Sequence, residues 1–151
     1  MYILDLFVGH AQIHRKKLQK LEQKLSKKIN QNLKLFDQSI KSEYTRTVYT
    51  ICLNKFFEFV QSNPGYSSNH KNKIIECDQS TQTDPREIEQ SIIDFVISNK
   101  KEGKIYSAIR NYVSAICRYY MMNDVNVNTT KINRFMPEFK KSKKDREYKH
   151  E

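Results

Sequence analysis

At 151 residues the chain is long enough for one domain with a single core and an appended arm, and too short for two complete domains. Lys plus Arg number 27 against 17 Asp plus Glu, a formal charge of +10 that biases the chain towards nucleic acid or another anionic surface. Three Gly and three Pro are few for the many turns of an all-β domain, so the expected class is all-α.

Three cysteines without a CxxC pair suggest neither a disulfide framework nor a zinc site, and the expected compartment is reducing. Cys52 and Cys117 sit among apolar neighbours in helical patterns, as small buried thiols do. The opening MYILDLFVG carries Asp5, lacks a basic n-region and is too short to cross a bilayer. The expectation is a cytoplasmic protein with no membrane partner.

From residue 11 to about 36, Leu18, Leu21, Leu25, Ile29, Leu33 and Phe36 recur at spacings of 3, 4, 4, 4 and 3, the period of an amphipathic helix. Its other side holds Arg15, Lys16, Lys17, Lys20, Lys24, Lys27 and Lys28 against Glu22 alone. Such a helix can lie on phosphates, pair with a partner helix or stand as a solvated arm, and the pattern leaves these open.

Ser42 is a candidate N-cap for the next helix, whose apolar face is Val48, Tyr49, Cys52, Leu53, Phe56, Phe57 and Val60 and whose stop is Asn63-Pro64-Gly65. Thr45 and Arg46 stand in its first turn, where free amides favour an anion. Either they meet phosphate there, or Thr45 bonds back locally and Arg46 is solvated. Residues 64–83 are mostly Ser, Asn, Gln, Thr and Lys around the dipeptide Ile74-Ile75, and read as a mobile surface loop away from the core. His70 in that loop has no metal-ligand partner at a useful spacing and is expected in solvent.

Asp84-Pro85-Arg86-Glu87 is the strongest helix start in the chain: Asp caps, Pro fits the first position, and Glu three residues on can reach back. The helix it opens turns Ile88, Ile92, Phe95 and Val96 inwards and ends near Asn99. Lys100, Lys101 and Gly103 make a basic turn into the central stretch, Gly103 to Met122. There Ile105, Ala108, Ile109, Tyr112, Val113, Ile116, Tyr119 and Tyr120 form the core face. Lys104, Ser107, Asn111, Ser114 and Arg118 fall opposite at spacings of 3, 4, 3 and 4, flanked by Arg110, without an acid among them. The stripe is either an ordinary wet face or a face for a polyanion. A short fourth element, about 128–136, is capped by Asn128 and stopped by Pro137, and a basic tail follows.

Ser42, Thr45, Tyr49, Leu53 and Phe56, in the pattern S-x-x-T-x-x-x-Y-x-x-x-L-x-x-F, resemble the opening helix of the core-binding domain of tyrosine recombinases, the phage integrase family. Ser114-Ala115-Ile116-Cys117-Arg118-Tyr119-Tyr120 is similar to that family's closing helix, with the Arg displaced by one position, and Lys143 to Tyr148 looks like its interdomain linker. The archaeal integrases look nearest. The likeness covers about 42–151.

It implies an all-α fold, a small orthogonal bundle of four core helices, the SAM-like integrase N-terminal fold, and the amphipathic N-terminal helix read from the spacing precedes it. The expected division is a basic helical arm at 1–40, outside the likeness, then a core-binding domain at 41–139 with the loop at 62–83, and a basic linker at 140–151. The implied function is sequence-tolerant binding of double-stranded DNA as one half of a clamp, in DNA integration and recombination. The DNA contacts it implies are Thr45, Arg46, Lys104, Tyr106, Ser107, Arg110, Asn111, Arg118, Lys143, Lys144 and Arg146. A recombinase catalytic domain is the further implied partner and no cofactor is implied; a second copy joined through the N-terminal helix is the partner that the amphipathic pattern itself offers.

The family cuts DNA with a Tyr nucleophile, two Arg, a Lys and a His in a second domain, and that set is absent here. His10, His14, His70 and His150 are never followed three residues on by Arg. Catalysis by this chain is therefore not expected. The competing expectation is a helical interaction module whose N-terminal amphipathic helix recruits a protein partner.

Overall fold

The structure is a computed structural model that describes residues 31–77 and 84–139, together with isolated positions between 12 and 23. Among the described residues every regular element is an α-helix: α1 (31–38), α2 (Glu43–Ser62), α3 (Ser68–Glu76), α4 (Pro85–Lys101), α5 (Tyr106–Met122) and α6 (Thr129–Asn133). The expected all-α class is therefore observed. Of the amphipathic block at 11–36, the described positions Gln12, Arg15, Lys16, Lys17, Gln19, Lys20 and Gln23 are helical and exposed, and its other positions before residue 31 lie outside the described residues.

Local chemistry starts and stops these helices. Ser42, Ser67, Asp84 and Asn128 each accept, through the side chain, a first-turn amide: those of Thr45, His70, Arg86 and Lys131. Pro85 sits at the first helical position of α4, where no amide is lost. Two of the ends are double-bonded turns with a left-handed residue after the cap. Gly103 (φ 78°) lets its own amide reach the Lys100 carbonyl and that of Lys104 reach Asn99. Asp124 (φ 60°) does the same after α5, with Asp124 bonded to Met121 and Val125 to Tyr120.

The broadest helix pairing is α2 on α5. Between them and α4 lie Leu53, Phe56 and Val60, Ile88, Ile92 and Val96, and Ile109, Ile116, Tyr119 and Tyr120, all fully buried. Phe56 anchors the aromatic part, its ring centroid 5.5 Å from Phe95 and 6.4 Å from Tyr120. The core also extends N-terminal of residue 41: Phe36 and Ile40 are buried, and the Phe36 ring meets Tyr119 edge-on at 6.0 Å. Buried Glu89 fastens α6 to α4, accepting the Asn128 amide at 2.8 Å and the Lys131 ammonium at 3.1 Å.

The stretch expected as a mobile loop away from the core contains α3, which adds a helix to the four expected. Ile74, Ile75 and Cys77 are buried, and the hydrogen bonds at the end of this helix explain why it docks. A helix leaves its last four carbonyls without intrahelical donors. In α3 these are taken one each: Lys73 by the Cys77 amide, Ile74 by the Tyr120 hydroxyl at 2.7 Å, Ile75 by the Tyr119 hydroxyl at 2.8 Å and Glu76 by the Asn32 amide at 2.6 Å. Residues 78–83 of the expected loop lie outside the described residues.

Two further expectations change. His70 is half-buried, its ring 4.6 Å from that of Tyr66, Nε2 3.4 Å from Ser91 Oγ and Nδ1 3.6 Å from the Glu87 carboxylate. That carboxylate is also 4.0 Å from the Lys73 ammonium, so Glu87 faces α3, where the capping-box reading had it turn back on Asp84. Tyr66 donates to Asp94 at 2.7 Å, and burial together with that bond pushes its phenol up to about 12.

Replacing Tyr120 by Phe removes the donor from Ile74 and is expected to cost about 1–2 kcal/mol in urea unfolding at neutral pH. The alkaline limb has a definite sign. Burial raises the Tyr119 and Tyr120 phenols above their ordinary value and pushes the Cys117 thiol up to about 11, so the unfolded chain releases these protons first. The stability they contribute is whole below about pH 9 and falls as pH rises through 10 and beyond, and Tyr120→Phe is expected to shallow that fall.

Candidate nucleic-acid interface

The exposed arc of α5 begins where its buried arc ends. Ile109, Tyr112, Val113, Ala115, Ile116, Tyr119 and Tyr120 point inwards, which leaves Ser107, Arg110 and Asn111 exposed and Ser114 and Arg118 half-buried on the other side. Ile105, expected in the core, is 69% exposed because it is the N-cap residue and lies before the helical turn begins; Ala115 is buried in the helix instead. No Asp or Glu occurs anywhere between Tyr106 and Met122. Ile105 has no side chain that can cap, so the first-turn amides of α5 receive no bond from it.

The two cations at the ends of the stripe are engaged by the protein itself. Arg118 donates through Nε to Ser39 Oγ at 3.2 Å and through its terminal nitrogen to the Ser39 carbonyl at 3.1 Å, so it ties α5 to the α1–α2 connection. Lys104 donates to Asn99 Oδ1 at 2.7 Å, pairs with Glu102 at 3.1 Å and lies 5.4 Å from the centre of the Tyr112 ring. Desolvation works to lower the pKa of this ammonium, but Glu102 and Tyr112 outweigh it and the net shift is upward.

At the start of α2, Arg46 is engaged by the protein itself. Its guanidinium donates to the Ile40 carbonyl at 3.0 Å and its Nε stands 3.3 Å from the Asp37 carboxylate. Thr45 gives its amide to the Ser42 cap and is half-buried, while the local back-bonding expected of it belongs to Thr47 and Thr50, which bond to Glu43 and Arg46. Tyr106 is half-buried with its ring edge-on to Phe139 at 5.4 Å. Lys143, Lys144 and Arg146 lie outside the described residues.

The structure therefore brings together part of the expected set. Thr45 and Arg118 line one groove, with Ser39, Lys41, Ser42 and Tyr49, of about 300 Å³. It adjoins a second, about 340 Å³, that shares Tyr49 and Arg118 and continues past Ser114, Met121 and Asn126. Lys104, Tyr106 and Ser107 line a separate groove of about 400 Å³ at the other end of α5, with Pro137, Glu138 and Phe139. Arg110 and Asn111 stand on open surface between these ends, and Arg110 has no hydrogen bond or ion pair among the described residues. Sequence reading passed over exposed Lys41, whose only local signal is its place before the Ser42 cap, and Phe139, which follows the Pro137 stop.

Cys117 lines the second groove, half-buried, and burial holds its thiol up at about 11, so it is a poor nucleophile or metal ligand at neutral pH. Among the described residues no group of three His, Cys, Asp or Glu is placed to hold a metal ion, and no helix is long and apolar enough to cross a membrane. Comparison of the chain with known protein families, curated proteins and solved structures finds no match.

Arg118→Ala is expected to destabilise the fold by about 1–2 kcal/mol, since it breaks two charge-assisted bonds across the helix connection. Arg110→Ala is expected to stay within about 0.5 kcal/mol of the parent, as an exposed position without partners should. Thermal unfolding of the two variants side by side checks the difference.

Proposed function

We propose that the chain binds double-stranded DNA through the exposed arc of α5. The observation that carries this reading is Ser107, Arg110 and Asn111 standing exposed on one helix face that has no acid along its length, with Arg110 unspent on any partner among the described residues. A major groove about 12 Å wide admits a helix, and Arg and Asn are the side chains suited to bidentate bonds with guanine and adenine edges. Ser107, and Lys41 with Thr45 in the groove at the far end of α5, supply phosphate contacts that position the helix without reading sequence. A formal charge of +10 adds the non-specific attraction on which such binding depends.

In the same reading the bundle is a SAM-like core-binding domain that holds one side of the duplex as half of a recombinase clamp. Thr45 and Tyr49 would then flank the backbone at the start of α2, and Lys143, Lys144 and Arg146 would cross it beyond α6. Arg46, Lys104 and Arg118 serve as internal braces that set the pose of the reading helix. Strand cleavage would come from a catalytic domain supplied as a partner, and the chain itself would hold DNA without cutting it. No cofactor enters this binding.

The test uses Arg110→Glu combined with Asn111→Asp, which leaves the braces intact. Duplex affinity in a gel shift is expected to fall by about ten- to a hundredfold, with a shallower salt dependence. Unchanged affinity in a variant with the parent's melting temperature would remove this reading.

A further inference from the structure

We propose that the groove at the start of α5 is a binding site for an unpaired nucleobase of a single strand, stacked on Phe139. Phe139 is 63% exposed although its ring is already fixed edge-on by Tyr106, with centroids 5.4 Å apart and planes at 73°. That pairing immobilises the ring and leaves apolar surface uncovered, the condition for a stacking platform with little ordering cost. Ile105, also largely exposed, lines the same groove, so aromatic and aliphatic surface together border a space of about 400 Å³. This is within the size range of small-ligand pockets.

Charge selects the occupant. Lys100 and Lys101 are exposed at the end of α4, just ahead of the turn at Gly103 that lines the groove, and Arg110 lies one helical turn beyond Tyr106. None of the three makes an ion pair among the described residues. The acid at Glu102 is already paired with Lys104, so the exposed cations near the groove, without an ion pair among the described residues, suit a phosphate backbone. Aromatic surface near exposed cations suits a strand whose bases can leave the stack. A base paired within a duplex has no face to offer.

Glu138 also lines the groove, exposed and without an ion pair among the described residues. A carboxylate accepts from an exocyclic amine, as on cytosine N4, and repels the carbonyl edge of thymine. The site therefore prefers a base that carries an amino group. It adjoins the duplex face at Ser107 and does not depend on it.

Fluorescence anisotropy of the full chain with labelled oligo(dC), oligo(dT) and a duplex of the same length tests this. Oligo(dC) is expected to bind more tightly than oligo(dT), and Phe139→Ala to weaken oligo(dC) binding about fivefold or more while duplex affinity stays as it was. Glu138→Gln is expected to narrow the gap between the two oligonucleotides. Absence of single-strand binding by the parent, or equal binding by Phe139→Ala, overturns the proposal. So does a parent chain that self-associates and becomes monomeric on Phe139→Ala with oligonucleotide affinity unaltered, since the face would then be a protein contact. Loss of duplex binding alone would count against the α5 reading and leave this site standing.

Discussion

The fold depends on two consecutive tyrosines reaching the unsatisfied end of a short helix. Tyr119 and Tyr120 are neighbours on α5, and their hydroxyls meet neighbouring carbonyls, Ile75 and Ile74, at the end of α3. Each side solves the other's problem. A buried phenol needs a hydrogen-bond partner, and a helix of nine residues has few bonds of its own relative to the carbonyls it leaves open. The Asn32 amide on Glu76 and the Cys77 amide on Lys73 complete the set, so the end of α3 is closed by α1, by α5 and by its own cap.

Fixing the tyrosines fixes the rotation of α5 about its axis, and this determines what the rest of that helix presents. With Tyr119, Tyr120 and Ile116 inward, Ser107, Arg110 and Asn111 stand outward. The braces at both ends hold the same rotation: Lys104 against Asn99 and Tyr112, Arg118 against Ser39. A stripe that reads in the sequence as one acid-free donor face is thus divided in the fold. Its two end cations brace the structure, and its middle is exposed.

That division bears on how nucleic acid would be held. A helix rigidly placed by neighbours loses little conformational freedom on binding, so its few exposed donors can be directional. The proposed stacking groove and the proposed duplex face share Ser107, and a strand opened next to a held duplex would pass from one to the other without leaving the same helix. The surrounding charge would serve both in the same way, by attracting phosphate regardless of sequence.

Periodicity and capping chemistry are local, so α2, α4, α5 and α6 were legible from the sequence: the caps at Ser42, Asp84 and Asn128 and the inward residues Leu53, Phe56, Ile88, Ile92, Ile109 and Ile116 follow from spacing alone. The all-α class followed from the scarcity of Gly and Pro. Helix α3 was not legible, because Ile74 and Ile75 make too short an apolar run to declare a helix, and the donors that stabilise its end come from residues 44 and 46 positions away. For the same reason the sequence named the cations of the candidate face but could not divide them. Arg46, Lys104 and Arg118 look like Arg110 in one dimension, and only packing brought Asp37, Asn99 and Ser39 within bonding distance of the first three while leaving the fourth in solvent.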